Sequence, residues 1–264
     1  MRKYLLEDIN YITQRLGTTT PHLWPFVEFE GTNVVGYSSA GDLTSAETAG
    51  AAEALEDDFE PLLLPCGLYA YWFNPTGDHH LSGSDHADLT FGDATVDSPF
   101  SVGAWIFPLQ IAGANAIMAK YDSAGALREW AFRITANGEL SLELYDESAD
   151  TTEIALSRVD VERLKWQFVV ATYDGGETAP VVRLYVDAKD ISQDTAGATT
   201  ETGAYVAMEN TAAPLTIGCS GVTATPVAEF YGYVALPFVT GKALTAAEVE
   251  ELFTKTRQMV LGSA

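Results

Sequence analysis

The densest grouping of side chains able to do chemistry is Gly77-Asp78-His79-His80-Leu81-Ser82-Gly83-Ser84-Asp85-His86-Ala87-Asp88, which holds three of the four histidines and three carboxylates. Carboxylates and loop carbonyls suit calcium, whereas imidazoles suit zinc or a similar transition metal. The spacing matches neither an EF-hand loop nor an HExxH helix. Asp78, Asp85 and Asp88 are therefore the candidate ligands of a calcium ion, and an ordinary polar loop is the competing reading. No other cofactor is indicated.

A second grouping is Glu143-Leu144-Tyr145-Asp146-Glu147. Glycoside hydrolysis needs two carboxyls, one to protonate the leaving oxygen and one to attack or activate water. These acids fall at i, i+3 and i+4, and a strand turns successive side chains to opposite faces, so all three cannot share one. A solvated strand end is the simpler reading. No Ser/His/Asp or Cys/His arrangement is legible, and no glycine-rich loop precedes a helix. No catalytic residue is assigned. Aromatic residues are plentiful, with Tyr69, Tyr71 and Phe73 on one strand parity against Leu68, Ala70 and Trp72. Tyr231 and Tyr233 similarly oppose Phe230 and Val234. Such a face could stack on sugar rings. It could equally be a sheet covered on both sides, and the covered sheet is favoured.

The elements that position these residues are mostly strands. Trp130, Phe132 and Ile134 alternate with Glu129, Ala131, Arg133 and Thr135, and Leu140, Leu142 and Leu144 alternate with Glu139, Ser141 and Glu143. Asn137-Gly138 between the two runs predicts a hairpin with a tight primed turn. About ten such segments run from Leu68 to Phe238, with almost no helix between them. They predict two packed antiparallel sheets. Trp72, Phe100, Trp130, Phe132, Ile134, Leu142, Phe168, Val170, Leu184 and Phe230 are the expected sandwich core. Thr245-Ala246-Ala247-Glu248 has capping-box spacing and opens a short C-terminal helix. Near the start, Leu5, Ile9, Ile12 and Leu16 form one stripe of a helix over 4–16, with Gly17 as its C-cap. A helix of about three turns is marginal alone, so the stripe must dock on its own sandwich or on a neighbouring subunit. Between them, residues 18–66 are irregular, with short strands at Val27–Glu30 and Val34–Tyr37 and a weak helix over 46–59 as expectations.

The 264 residues carry 14 basic and 37 acidic side chains, for a net charge of −23. That surface repels phosphate backbones and anionic lipid, which argues against nucleic-acid and membrane partners. No run approaches the roughly 18 apolar residues of a membrane span. The opening, Met1 to Asp8, turns acidic where a secretion signal needs an apolar stretch. Cys66 and Cys219 are too few for a disulfide framework; they are buried free thiols or a single bridge.

Residues 68–258 resemble a laminin-G-like member of the concanavalin A-like lectin/glucanase jelly rolls. The resemblance lies in Ser98-Pro99-Phe100-Ser101-Val102-Gly103-Ala104-Trp105-Ile106-Phe107-Pro108 and Trp166-Gln167-Phe168-Val169-Val170-Ala171-Thr172-Tyr173-Asp174-Gly175. Val182-Arg183-Leu184-Tyr185-Val186-Asp187, Leu215-Thr216-Ile217-Gly218 and the closing strand and helix from Phe230 to Phe253 add to it. Ala188 departs from it, because many relatives have glycine there. The resemblance implies an all-β jelly roll over 67–264, with residues 1–66 as an N-terminal arm outside it. It also implies that the 77–88 segment follows the first sandwich strand, at a rim where many relatives hold calcium.

Function is read from this fold by analogy. The first expectation is a non-enzymatic structural or assembly protein, a virion component such as a capsid decoration or tail-associated protein assembled in the host cytoplasm. Its partners would be further copies of itself and neighbouring structural proteins, met through the Leu5/Ile9/Ile12/Leu16 stripe. The alternative is a carbohydrate-binding or adhesion module with glycan partners. A glycan-cleaving enzyme ranks last. On the first expectation, a chain lacking residues 1–66 keeps a folded sandwich and loses assembly.

Overall fold

In the computed structural model, the residues described are 3–17, 21–37, 41–46, 54–176, 181–193, 200–222 and 226–262. The helices are α1 (Lys3–Leu16), the single turn α2 (Leu55–Asp58) and α3 (Ala246–Leu261). The first strands are β1 (Pro21–Leu23), β2 (Asn33–Val34), β3 (Leu43–Ala46), β4 (Leu62–Leu63), β5 (Tyr69–Phe73) and β6 (His80–Gly83). Longer strands follow in β7 (Phe100–Pro108), β8 (Asn115–Asp122), β9 (Leu127–Ile134), β10 (Glu139–Asp146), β11 (Thr151–Asp160) and β12 (Gln167–Tyr173). The last are β13 (Val182–Val186), β14 (Lys189–Asp190), β15 (Thr200–Thr202), β16 (Leu215–Ile217) and β17 (Gly232–Thr240).

These strands make two antiparallel sheets, the jelly-roll sandwich that the alternation predicts. One has the order β14-β13-β12-β7-β17-β5-β4 with β1 added to β17, and the other β15-β11-β10-β9-β8-β16-β6-β3-β2. Between them lies one core that includes Phe100, Trp130, Phe132, Ile134, Leu142, Leu184 and Phe230. A second core covers the far side of the eight-stranded sheet, where Trp105, Phe168 and Val170 meet Ile9, Ile12 and Leu16 of α1 and Val249 and Leu252 of α3. Phe168 and Val170 therefore belong under the helices rather than between the sheets, because Val169, Ala171 and Tyr173 take the inward parity of β12. Trp72 is also corrected. Tyr71 and Phe73 point inward and Trp72 is half-buried against Tyr231, since β5 is apolar on both faces and its parity carries no direction.

The capping box of α3 is present, with Thr245 and Glu248 serving each other's backbone. Trp105 ties this helix to β7 by donating from its indole nitrogen to Thr256 Oγ1 at 2.8 Å. The β9–β10 hairpin forms, but only Gly138 has positive φ in its turn (96°). Ala136 lengthens the connection, which relieves Asn137 of the left-handed conformation that a two-residue primed turn demands. The 77–88 segment is not all loop, because His80–Gly83 pairs with both β16 and β3. Its polar composition hides a strand that backbone pairing secures.

The boundary expected at residues 66–67 runs through one packed body. Trp24, Phe26, Val34, Leu43, Leu55 and Phe59 enter the inter-sheet core, and β1, β2, β3 and β4 join the two sheets. Phe26 stacks on Tyr71 with ring centroids 4.2 Å apart, and Tyr71 donates to the Glu28 carbonyl at 2.8 Å. Val27–Glu30 is accordingly not a strand; it is held by stacking and by Tyr71. The helix expected over 46–59 reduces to α2, with Thr44 and Ala46 in β3 and residues 47–53 outside those described. Cys66 and Cys219 are free thiols. Among the described residues no helix is long and apolar enough to cross a membrane.

Candidate functional site

Helices cover the outside of the eight-stranded sheet, but the outside of the nine-stranded sheet carries a different set of side chains. On β9 the inward residues are Trp130, Phe132 and Ile134, which leaves Ala131 and Arg133 outward. On β10 Leu140, Leu142 and Leu144 are inward, which leaves Ser141, Glu143 and Tyr145 outward. Cross-strand register sets Glu143 beside Ala131, Ala131 beside Ala119, and Ala119 beside Thr216. Ala131, Ala119 and Thr216 are three small side chains in a row, and all three are fully buried.

Tyr145, Tyr121, Arg133 and Glu143 form the outer layer of this face next to that row. Tyr121 and Tyr145 meet edge to face, with centroids 5.0 Å apart and ring planes at 61°. Together with Ala119 and Ala131 they form a small apolar cluster separate from both cores. Arg133 bonds Glu143 at 3.0 Å, the two side chains being only 12% and 15% exposed. The Arg133 guanidinium also lies 4.7 Å from the Tyr121 centroid. Tyr145 donates its hydroxyl to Glu143. Burial and the neighbouring Glu143 carboxylate push the Tyr145 phenol up, though Arg133 opposes them, so it stays a donor. Burial opposes the charge on Arg133, but Tyr145, Glu143 and Tyr121 more than offset it. Arg133 Nε is shielded and, among the described residues, has no hydrogen-bond partner.

At the end of the patch Arg128 grips Glu147 through two bonds, of 2.5 and 3.2 Å, and Asp150 through one of 2.6 Å. Its guanidinium lies 5.6 Å from the Tyr145 centroid. Asp146 has the opposite role from Glu143 and Glu147. It is buried and accepts from the Ala149 and Val206 amides at 3.0 and 3.1 Å, which fixes the turn after β10. Glu143 and Glu147 are thus held by separate arginines. The face is rigid, amphipathic and rich in fixed donors and acceptors, a combination that suits binding.

The three acids proposed as calcium ligands go to different places. Asp78 stands by Glu229, whose carboxyl is pushed up to about 7 by burial and then by Asp78. Asp85 pairs with buried Lys120 at 2.8 Å, and Asp88 faces His86 at 3.7 Å. Among the described residues no three His, Cys, Asp or Glu side chains are grouped to hold a metal ion. Of the N-terminal stripe, Ile9, Ile12 and Leu16 are buried in the second core, while the side chain of Leu5 lies outside the described residues. Sequence reading placed Glu143 and Arg133 on the wet parity but did not join them to Tyr121 and Tyr145. The available signal was the outward row itself, where tyrosine and arginine interrupt alanine on adjacent strands.

Residues 81–250 match the family model of the concanavalin A-like lectin/glucanases superfamily, in its laminin-G form. The chain belongs to that superfamily. Among solved structures, it is similar to domain 4 of AbnA, a GH43 extracellular arabinanase from Geobacillus stearothermophilus, in complex with arabinotriose. The TM-score is 0.57 at 15% identity, over 89% of this chain and 97% of that one. It is also similar to the binding domain of botulinum neurotoxin serotype G, with TM-score 0.56 and 10% identity over 90% of this chain. A botulinum neurotoxin type C structure, described by its cell entry through two ganglioside molecules, gives 0.53 and 12% over 87% of this chain. The chain spans about half of these two toxin chains, 51% of each. No curated protein sequence matches the chain. At these identities the likeness is one of fold, and the jelly roll of this superfamily member is shared with binding domains.

Proposed function

We propose that this superfamily member is a non-catalytic glycan-binding module that lays a saccharide along the outer face of its nine-stranded sheet. The observation that carries the reading is the Tyr121–Tyr145–Arg133–Glu143 cluster on the outer side of the buried row Ala131, Ala119 and Thr216. A sugar presents C–H faces that pack on tyrosine and hydroxyls that exchange bonds with fixed guanidinium and carboxylate groups. Two of the similar structures lend support, one solved with arabinotriose and one from a toxin tied to gangliosides. Glu143 and Glu147, each bound to its own arginine, serve here as positioning groups. The assembly reading of residues 1–66, with a virion as its setting, has less beneath it, because Ile9, Ile12 and Leu16 lie against the chain's own body.

An oligosaccharide array that includes arabinotriose and ganglioside-derived glycans tests the proposal. Tyr121→Ala and Glu143→Gln should each weaken the best binder at least tenfold, about 1.4 kcal/mol. Absence of any binder, or binding that both variants leave unchanged, overturns it.

A further inference from the structure

A recess lies away from the outer face, at one end of the sandwich. It is a cavity of about 250 Å³ bounded by Asn74, Thr76, Gln110, Asn115, Glu229 and Tyr231. These residues come from both sheets, at the exit of β5, the β7–β8 connection and the entrance to β17. The Leu109 amide donates to the Tyr231 carbonyl at 2.9 Å, which ties two of these walls together. The cavity is thus bounded by fixed segments.

Its polar groups are oriented. Asn74 Oδ1 accepts from the Thr76 amide at 3.1 Å, which leaves the Asn74 amide nitrogen to donate. Asn115, only 2% exposed, donates from Nδ2 to the Gly113 carbonyl at 2.7 Å, which leaves its Oδ1 to accept. Gln110 supplies a further amide and Thr76 a hydroxyl. Tyr231 adds an aromatic ring, backed by Trp72 with centroids 6.3 Å apart. Among the described residues no lysine or arginine lines the cavity, and Glu229 disfavours anions. Amides flanking one aromatic ring match a small ligand with many hydroxyls and one apolar face. Drug-sized ligands occupy roughly 300–1,000 Å³, so this volume suits a single ring.

We propose that this cavity is a separate binding site for one neutral sugar ring, stacked on Tyr231 and hydrogen-bonded by Asn74, Gln110 and Asn115. The site deepens the saccharide-binding reading above, yet it shares no side chain with the outer-face cluster. The two therefore fail independently.

The test is titration of the full chain with L-arabinose, D-galactose and D-glucose in turn, followed by amide chemical shifts. At least one should perturb the signals of Thr76, Gln110, Ala112 and Tyr231. Gln110→Ala and Tyr231→Ala should each weaken that sugar tenfold or more, and Tyr121→Ala should change it less than twofold. Gln110 is exposed on a loop, so its variant keeps the test valid where Tyr231→Ala disturbs folding. No perturbation by any of the three sugars, or binding retained within twofold in Gln110→Ala, overturns the proposal. A monosaccharide that binds while the array result is independent of Tyr121 leaves the cavity standing and removes the outer face. The reverse pattern does the opposite.

Discussion

Four residues carry strain or titration that can be read directly. Asp187 and Ala188 turn between β13 and β14 with φ of 50° and 62°, the left-handed pair of a primed hairpin. Side chains with a Cβ resist that region and glycine does not. Ala188→Gly should raise stability by about 0.5–1 kcal/mol, read as a higher urea midpoint at constant slope. A lower midpoint would mean that the Ala188 methyl, which packs on the second core, matters more than its backbone. Glu229 and His22 give opposite pH dependences. Glu229 is raised from 4.5 to about 7, so its contribution is full below the lower value and is lost as pH rises through the upper one. Burial pulls buried His22 from 6.5 down to about 4, against Asp88, so its contribution is present above 6.5 and is lost as the solution is acidified. Thermal melts between about pH 4 and about pH 8 should separate them. Glu229→Gln should make stability climb more steeply with pH than in the parent, and His22→Leu should make it climb less. Unchanged profiles would refute both assignments.

The elements explain why residues 1–66 cannot be an appendage. β1 pairs with β17, and β3 pairs with β6. Thr240 donates to the Leu16 carbonyl at 2.5 Å, so the end of α1 is fastened to the last strand. Deleting residues 1–66 should therefore abolish cooperative unfolding in denaturant, the reverse of what an independent sandwich over 67–264 requires. The helix-covered core gives a milder test. Phe168→Ala should cost about 3–5 kcal/mol, as for a large buried aromatic. A loss below 1 kcal/mol would mean that α1 and α3 close over the gap. The jelly roll was legible because Trp130 to Leu144 alternates with a strict period of two, and because Thr245 and Glu248 mark a helix start. Strands such as His80–Gly83 and Pro21–Leu23 were not, since three or four residues with histidine, serine or proline carry no period, and only their pairing partners define them. The outer face was half legible. Alternation places Arg133 and Glu143 on the wet side, but their meeting with Tyr121 depends on the β8–β9 register, which is shifted by bulges at Ala116/Met118 and Lys120/Tyr121.

At the scale of the whole molecule, charge and architecture separate two kinds of electrostatics. The net charge of −23 spreads over the surface and opposes compaction by self-repulsion. That repulsion acts over about 30 Å at 0.01 M salt and about 3 Å at 1 M, so added salt removes most of it. The melting temperature should therefore rise across that range of sodium chloride, a salt preferable here to sulfate, which strengthens burial by itself. The outer-face cluster should respond differently. Arg133 and Glu143 are nearly enclosed and only 3.0 Å apart, and close, shielded pairs are screened little. A neutral glycan also brings no charge to be screened. Its affinity should then stay within about twofold over the same salt series that raises the melting temperature. A steep fall in affinity with salt would show that the ligand is held through surface charge, which would place it off the tyrosine-lined face. A melting temperature that falls with salt would mean that exposed pairs such as Arg15–Glu251 and Lys165–Glu162 outweigh the repulsion of the acidic excess.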